Sequence, residues 1–108
     1  MDKIDLLQGT LDMLILQVLS RGEMHGWGIA DRLSQLSKNA LQLGEGSIYP
    51  SLYRMEAKGW VKGEWAQSDN NRRAKYYSLT KAGRKQLETE QEGWEKLSAI
   101  IGAVMQKA

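Results

Sequence analysis

The residues from Gly46 to Lys85, GSIYPSLYRMEAKGWVKGEWAQSDNNRRAKYYSLTKAGRK, leave this chain little choice of fold. A helical stripe of Ile48, Leu52 and Met55 stops at Gly59 and gives way to two β-prone runs, Trp60–Ala66 and Arg73–Leu79. Between the runs lies Gln67-Ser68-Asp69-Asn70-Asn71-Arg72, in which Asp and Asn accept left-handed turn geometry. The segment therefore predicts a short helix followed by a hairpin. Its charge is one-sided. Gly46 to Leu87 holds nine Lys/Arg against three Asp/Glu, while the rest of the chain holds six against ten. The net charge of +2 conceals this segregation. A cationic surface shared by one helix and one hairpin suits a polyanion such as duplex DNA.

Two further helices precede this segment. Leu11, Leu14, Ile15, Val18 and Leu19 recur at helical spacing, with Thr10 as the expected N-cap and Gly22 as the stop. Met13 and Leu16 lie off that stripe, either as surface apolars or as a second face for a dimer. A second helix is expected from Gly26 to about Lys38, with Ile29, Ala30, Leu33 and Leu36 toward the core. Ser47 is the expected cap of the third helix, with Pro50 in its first turn, where a missing N–H is harmless. Thr80 caps a last helix of about 25 residues. On it Leu87, Trp94 and Ile101 recur every seven residues, Leu97 and Val104 share their seam, and Glu90 interrupts it. Three helices, a hairpin and a long helix give a mainly α (α+β) fold. It is a winged helix-turn-helix with a two-stranded wing, followed by a C-terminal dimerisation helix. The expected division is 1–80 for the DNA-binding unit and 81–108 for the dimerisation helix. That helix is longer than so small a core can cover, so its seam predicts self-association.

Composition closes other routes. With no cysteine and one histidine there is no disulfide, thiolate metal site or histidine cluster, and no cofactor is expected. Enzyme chemistry lacks its parts: no paired acids fall on a pocket and no Gly-rich phosphate loop is present. No apolar run approaches the roughly 20 residues of a membrane span. The opening MDKIDLLQGTLD lacks a signal-peptide profile, so a cytoplasmic protein is expected. His25 reads as a loop residue leading into the second helix, and Arg84 and Lys85 as surface charges.

Several pieces in this order resemble the PadR family of bacterial transcriptional regulators in its short form. Gly9-Thr10-Leu11-Asp12 with Leu14 through Leu19 is similar to that family's opening helix. Met24-His25-Gly26-Trp27-Gly28-Ile29 resembles its entry to helix two. Gly46-Ser47-Ile48-Tyr49-Pro50-Ser51-Leu52 with Arg54-Met55-Glu56 resembles its recognition helix. Arg73, Lys75-Tyr76-Tyr77-Ser78-Leu79-Thr80 and Ala82-Gly83-Arg84 resemble its wing return and helix cap. The resemblance implies a homodimeric repressor joined through its first and last helices and bound to a palindromic operator. In some members it also implies a response to phenolic or flat hydrophobic compounds.

The candidate contacts follow from position. Ser47, Tyr49, Pro50, Tyr53 and Arg54 lie off the apolar stripe of the helix that would enter the major groove. Arg54 can read guanine with a bidentate fork or clamp a phosphate. Ser47 and Tyr49 suit phosphates at a helix start, or Ser47 only caps and Tyr49 only packs. Arg72, Arg73 and Lys75, with Asn70 and Asn71 at the tip, form a cationic wing, and Lys58 and Lys62 extend the patch. Tyr77 and Leu79 read as core, while Tyr76 faces the other way. Leu16, Leu87, Trp94, Leu97, Ile101 and Val104 are the expected dimerisation residues. Trp94 is either interface packing or one wall of an aromatic-ligand pocket, with Ile15 and Met13 as neighbours. The alternatives are a winged helix used only for protein contacts and a MarR-like regulator without small-molecule response.

Overall fold

In the computed structural model, residues 6–108 are described. The chain runs α1 (Gln8–Leu19), β1 (Met24–His25), α2 (Gly26–Leu36), α3 (Glu45–Ala57), β2 (Val61–Gln67), β3 (Arg73–Leu79) and α4 (Lys81–Lys107). It is a winged helix-turn-helix with a long C-terminal helix. Residues 1–5 of the expected 1–80 unit lie outside the described residues.

The core gathers Ile15, Leu16, Leu19, Ile29, Ile48, Leu52, Met55 and Tyr77, each essentially without solvent contact. Burying one such side chain stabilises the fold by roughly 1.5–3 kcal/mol before entropic costs. α1 lies in the middle of this core. It packs against α2, α3, β3 and α4, and buries Leu11, Asp12, Ile15, Leu16, Val18 and Leu19. That width exceeds a single stripe. Leu16 is therefore a core residue rather than a dimerisation contact, and Ile15 is sealed away from any ligand pocket. Leu36 departs in the other direction and is exposed at the last turn of α2.

Several element ends differ from those expected, each for a local reason. α1 begins at Gln8 instead of after a Thr10 cap, because the Leu7 carbonyl already accepts the Leu11 N–H at 3.0 Å. α2 stops at Leu36 because Lys38 and Asn39 take positive φ (53° and 67°). α3 begins at Glu45 with Gly44 as its N-cap, so Ser47 sits inside the first turn and caps nothing. Pro50 consequently falls in the second turn, where it removes one helical hydrogen bond, to the exposed Gly46.

The sheet has three strands in the order β1-β3-β2, all antiparallel. The two-residue β1 was not expected. It pairs Met24 with Tyr77 and His25 with Tyr76. β2 and β3 pair throughout, from Val61 opposite Leu79 to Gln67 opposite Arg73. Thr80 caps α4 as expected: its Oγ1 accepts the Gly83 N–H at 3.0 Å. The same hydroxyl donates to the Gly59 carbonyl at 2.6 Å, tying the start of α4 to the turn before the wing. Gly83 lies so close to the Trp60 carbonyl that a Cβ there would clash.

Only Gly83 and Leu87 of α4 are buried. Leu87 thus belongs to the protomer core, not to a self-association seam. From there the helix runs out with Trp94, Leu97, Ile100, Ile101, Val104 and Met105 exposed. Among the described residues no helix is long and apolar enough to cross a membrane.

Candidate nucleic-acid interface

The exposed edge of α3 carries Ser47, Pro50 and Tyr53, about one turn apart, and Tyr53 is 56% exposed. The spacing follows from the helix: Ile48, Ser51, Leu52 and Met55 are held inward, so the residues between them face out. Tyr49 stands on the flank. Its ring packs where a Cβ of Gly26 would lie, so the glycine that opens α2 lets the two helices approach. It also tilts toward Tyr53, with ring centroids 6.1 Å apart. Partial burial, with Glu45 and Tyr53 nearby, pushes the Tyr49 phenol above its usual range and keeps it a neutral donor.

Arg54 requires a correction. Its guanidinium turns back to the buried Asp12 of α1, with Nη2 2.8 Å from Oδ1, and also donates to the Ser51 hydroxyl at 3.2 Å. The reason is electrostatic: the Asp12 carboxylate, 9% exposed, needs a cation, and among the described residues Arg54 supplies it. Arg54 therefore ties α3 to α1 and does not project from the groove-facing edge.

The hairpin blade ends in a hydrogen-bonded turn. The Asn71 N–H donates to the Ser68 carbonyl at 2.9 Å, Asn71 adopts φ 64°, and the Gln67 amide reaches the Asn71 side chain. Arg72 and Arg73 emerge beside this turn, exposed. Arg73 lies over the ring of Trp65, 5.5 Å from its centroid. Lys75 is half-turned away: its Nζ donates to Glu56 of α3 at 3.0 Å, a bond that raises its pKa. Lys62 pairs with Glu64 at 2.7 Å on the exposed side, which likewise raises the lysine and lowers the carboxyl. Lys58 sits at the end of α3 over the Trp60 ring. Of the basic residues expected at this surface, Lys58, Arg72 and Arg73 take no part in the ion pairs among the described residues.

Trp94 and Met13 do come together. They share an open groove of about 280 Å³ with Leu7, Gly9, Thr10 and Leu97. On the opposite flank they share a second recess with Leu14, Gln17, Gln91 and Glu95. Sequence reasoning missed three participants. Asp12 is an acid on an otherwise apolar helix face, and that oddity was the available signal. His25 is not a bare loop residue: its Nδ1 accepts the Gly28 N–H at 3.0 Å, capping α2, while its ring stacks on Trp27. Trp65 gave no signal, because an aromatic in a β-prone run reads as packing.

A helix-turn-helix whose outward edge adjoins a cationic hairpin defines the winged-helix class of transcription regulators. A family profile described as "Transcriptional regulator PadR-like family" matches residues 15–89. A transcriptional regulator of Mycobacterium tuberculosis is 31% identical over 87 residues, covering 81% of this chain and 78% of that protein. The crystal structure of a PadR-like transcriptional regulator from Bacillus cereus superimposes with a TM-score of 0.79 at 30% identity, covering 94% of this chain and 97% of that one. A PadR family transcription regulator from Clostridium difficile gives a TM-score of 0.75 at 31% identity, covering 88% and 97%. The chain belongs to the PadR-like family of transcriptional regulators.

Proposed function

We propose that this protein is a homodimeric repressor that binds a palindromic DNA operator and is released from it by a planar aromatic compound. The observation that carries the DNA reading is one outward helix edge (Ser47, Pro50, Tyr53) on a domain that also exposes Lys58, Arg72 and Arg73, none of which joins an ion pair among the described residues. On this reading the start of α3 enters the major groove, Ser47 and Tyr49 bond phosphates, and Pro50 and Tyr53 offer apolar surface to base edges. The wing arginines lie along the backbone beside the minor groove. Lys75 supports the blade from Glu56 and adds a longer-range charge.

The exposed apolar seam of α4 supports the dimer: Trp94, Leu97, Ile101 and Val104 cannot all be left to water at low cost. Two copies would space their recognition helices about 34 Å apart, one turn of duplex. The groove at Trp94 and Met13 supports the effector reading. A flat ligand there would sit between α1 and α4, and would change DNA affinity only by its differential affinity for two relative angles of the wings.

Selection of genomic DNA by the purified protein, followed by anisotropy titration of the recovered duplex, tests the DNA reading. The expected motif is an inverted repeat. Lys58, Arg72 and Arg73 on each protomer predict a log–log salt slope of about −5. A flat salt response, or a motif without symmetry, refutes it. Trp fluorescence during addition of planar aromatics tests the effector reading, and no quenching with any of them counts against it.

A further inference from the structure

We propose that Trp65 is a DNA-contacting residue of the wing. Its indole lies against the sugar face of the duplex backbone while Arg73 takes the adjoining phosphate. The inference rests on the DNA-binding reading above and adds to it a residue that charge alone does not identify.

Alternation along β2 puts Val61, Gly63, Trp65 and Gln67 on one face. The first two are covered: Val61 is buried, and Gly63 lies against Glu56, Lys75 and Tyr77. Trp65 continues the same face, the one turned toward α3, but it stands beyond the core and is 60% exposed. A tryptophan meant only to hold the blade together would be covered by its cross-strand partner. Its partner is Lys75, and the Lys75 ammonium is drawn off to Glu56. The contact it does make is with Arg73, whose guanidinium lies over the ring. The blade thus presents an apolar plate with a fixed cation against it, next to exposed Arg72 and on the side of the recognition helix.

A nucleic-acid backbone has the matching surface, with apolar deoxyribose faces alternating with phosphates. The plate would bury against sugar without reading sequence, and the stacked guanidinium would meet phosphate with little further ordering. The net positive balance of this segment favours that occupant over an apolar protein surface.

The test uses the full chain and the duplex recovered by selection, with anisotropy at several salt concentrations. Trp65→Ala is expected to weaken binding about tenfold at every salt concentration, with the salt slope unchanged, because no phosphate contact is lost. Trp65→Phe should recover most of that affinity. Arg73→Ala should weaken binding and flatten the slope by about one unit per protomer. Independently of any loss of stability in the alanine variant, duplex should change the tryptophan emission of the wild type. That change should vanish in Trp65→Phe and persist in Trp27→Phe. If the wild type binds duplex with a steep salt slope, and Trp65→Phe keeps the emission change or a folded Trp65→Ala binds as tightly as wild type, this inference is wrong while the DNA reading stands. If the wild type shows no salt-dependent binding, both fall.

Discussion

The Asp12–Arg54 pair makes a prediction whose sign differs from that of a DNA contact. A fully buried pair that loses one partner costs about 3–5 kcal/mol, and a fully exposed one about 0–1 kcal/mol. This pair is lopsided: Arg54 is 33% exposed and Asp12 9%. Removing Arg54 strands a carboxylate that water scarcely reaches, so Arg54→Ala should cost about 3 kcal/mol. Removing Asp12 strands a guanidinium that can partly rehydrate and still bond Ser51, so Asp12→Ala should cost only about 1–2 kcal/mol. The double variant should cost less than the sum, with a coupling of about 1–2 kcal/mol. Urea unfolding at one fixed protein concentration measures all four species, since self-association would make stability depend on concentration. The slope with denaturant should stay constant across them. A coupling near zero, with Arg54→Ala as stable as wild type but unable to bind duplex, would refute the argument and return Arg54 to the DNA surface.

Four other outcomes are expected. Leu97→Glu or Ile101→Glu should shift the protein toward monomer in sedimentation equilibrium while leaving the winged domain folded, since both residues are exposed within one protomer. Gly26→Ala should destabilise by about 1–3 kcal/mol in thermal melts, because the new Cβ would lie 2.5 Å from the Tyr49 ring, and it should weaken duplex binding through the displaced α3. Gly46→Ala, with nothing within 4 Å of its Cβ, should be neutral or slightly stabilising. Stability should also decline as pH rises past about 10. Burial raises the Tyr77 phenol and, less completely, Tyr49, while the bond to Glu56 raises Lys75. Each favours the protonated form in the fold. Its contribution is complete below the unfolded value and lost as pH climbs through the folded one. Tyr77→Phe should soften the decline seen by circular dichroism, and an unchanged profile would argue against the phenol's part in it.

The fold was legible where apolar periodicity and turn chemistry agree. Ile48, Leu52 and Met55 marked α3, Thr80 marked the start of α4, and the Asp-Asn-Asn turn marked the hairpin. β1 was not legible, because two residues carry no period and Met24 and His25 pair only once β3 is beside them. Arg54 was misread for a related reason. An arginine off the apolar stripe looks like a surface charge, and its partner lies 42 residues earlier, on another helix. Burial of the carboxylate decides where the guanidinium points, and burial is a property of the assembled core.

The same limit explains the divided fate of the seam on α4. Leu87, Trp94 and Ile101 share one spacing, and spacing alone cannot say whether an apolar stripe meets its own domain or a second chain. Geometry separates them. Gly83 lets the helix start pack against the Trp60 carbonyl, so the first two turns, including Leu87, close over α1 and β3. At about 1.5 Å per residue, Trp94 lies roughly 10 Å beyond Leu87, past the edge of so small a core. From that point on the apolar residues gain little from their own protomer: Trp94 and Leu97 are only half covered, beside α1, and Val104 and Met105 are more exposed still. A second surface against this stripe would cover it out to Val104, which is why, on the proposed dimer, disrupting Leu97 or Ile101 should alter assembly and leave the fold of the winged domain intact.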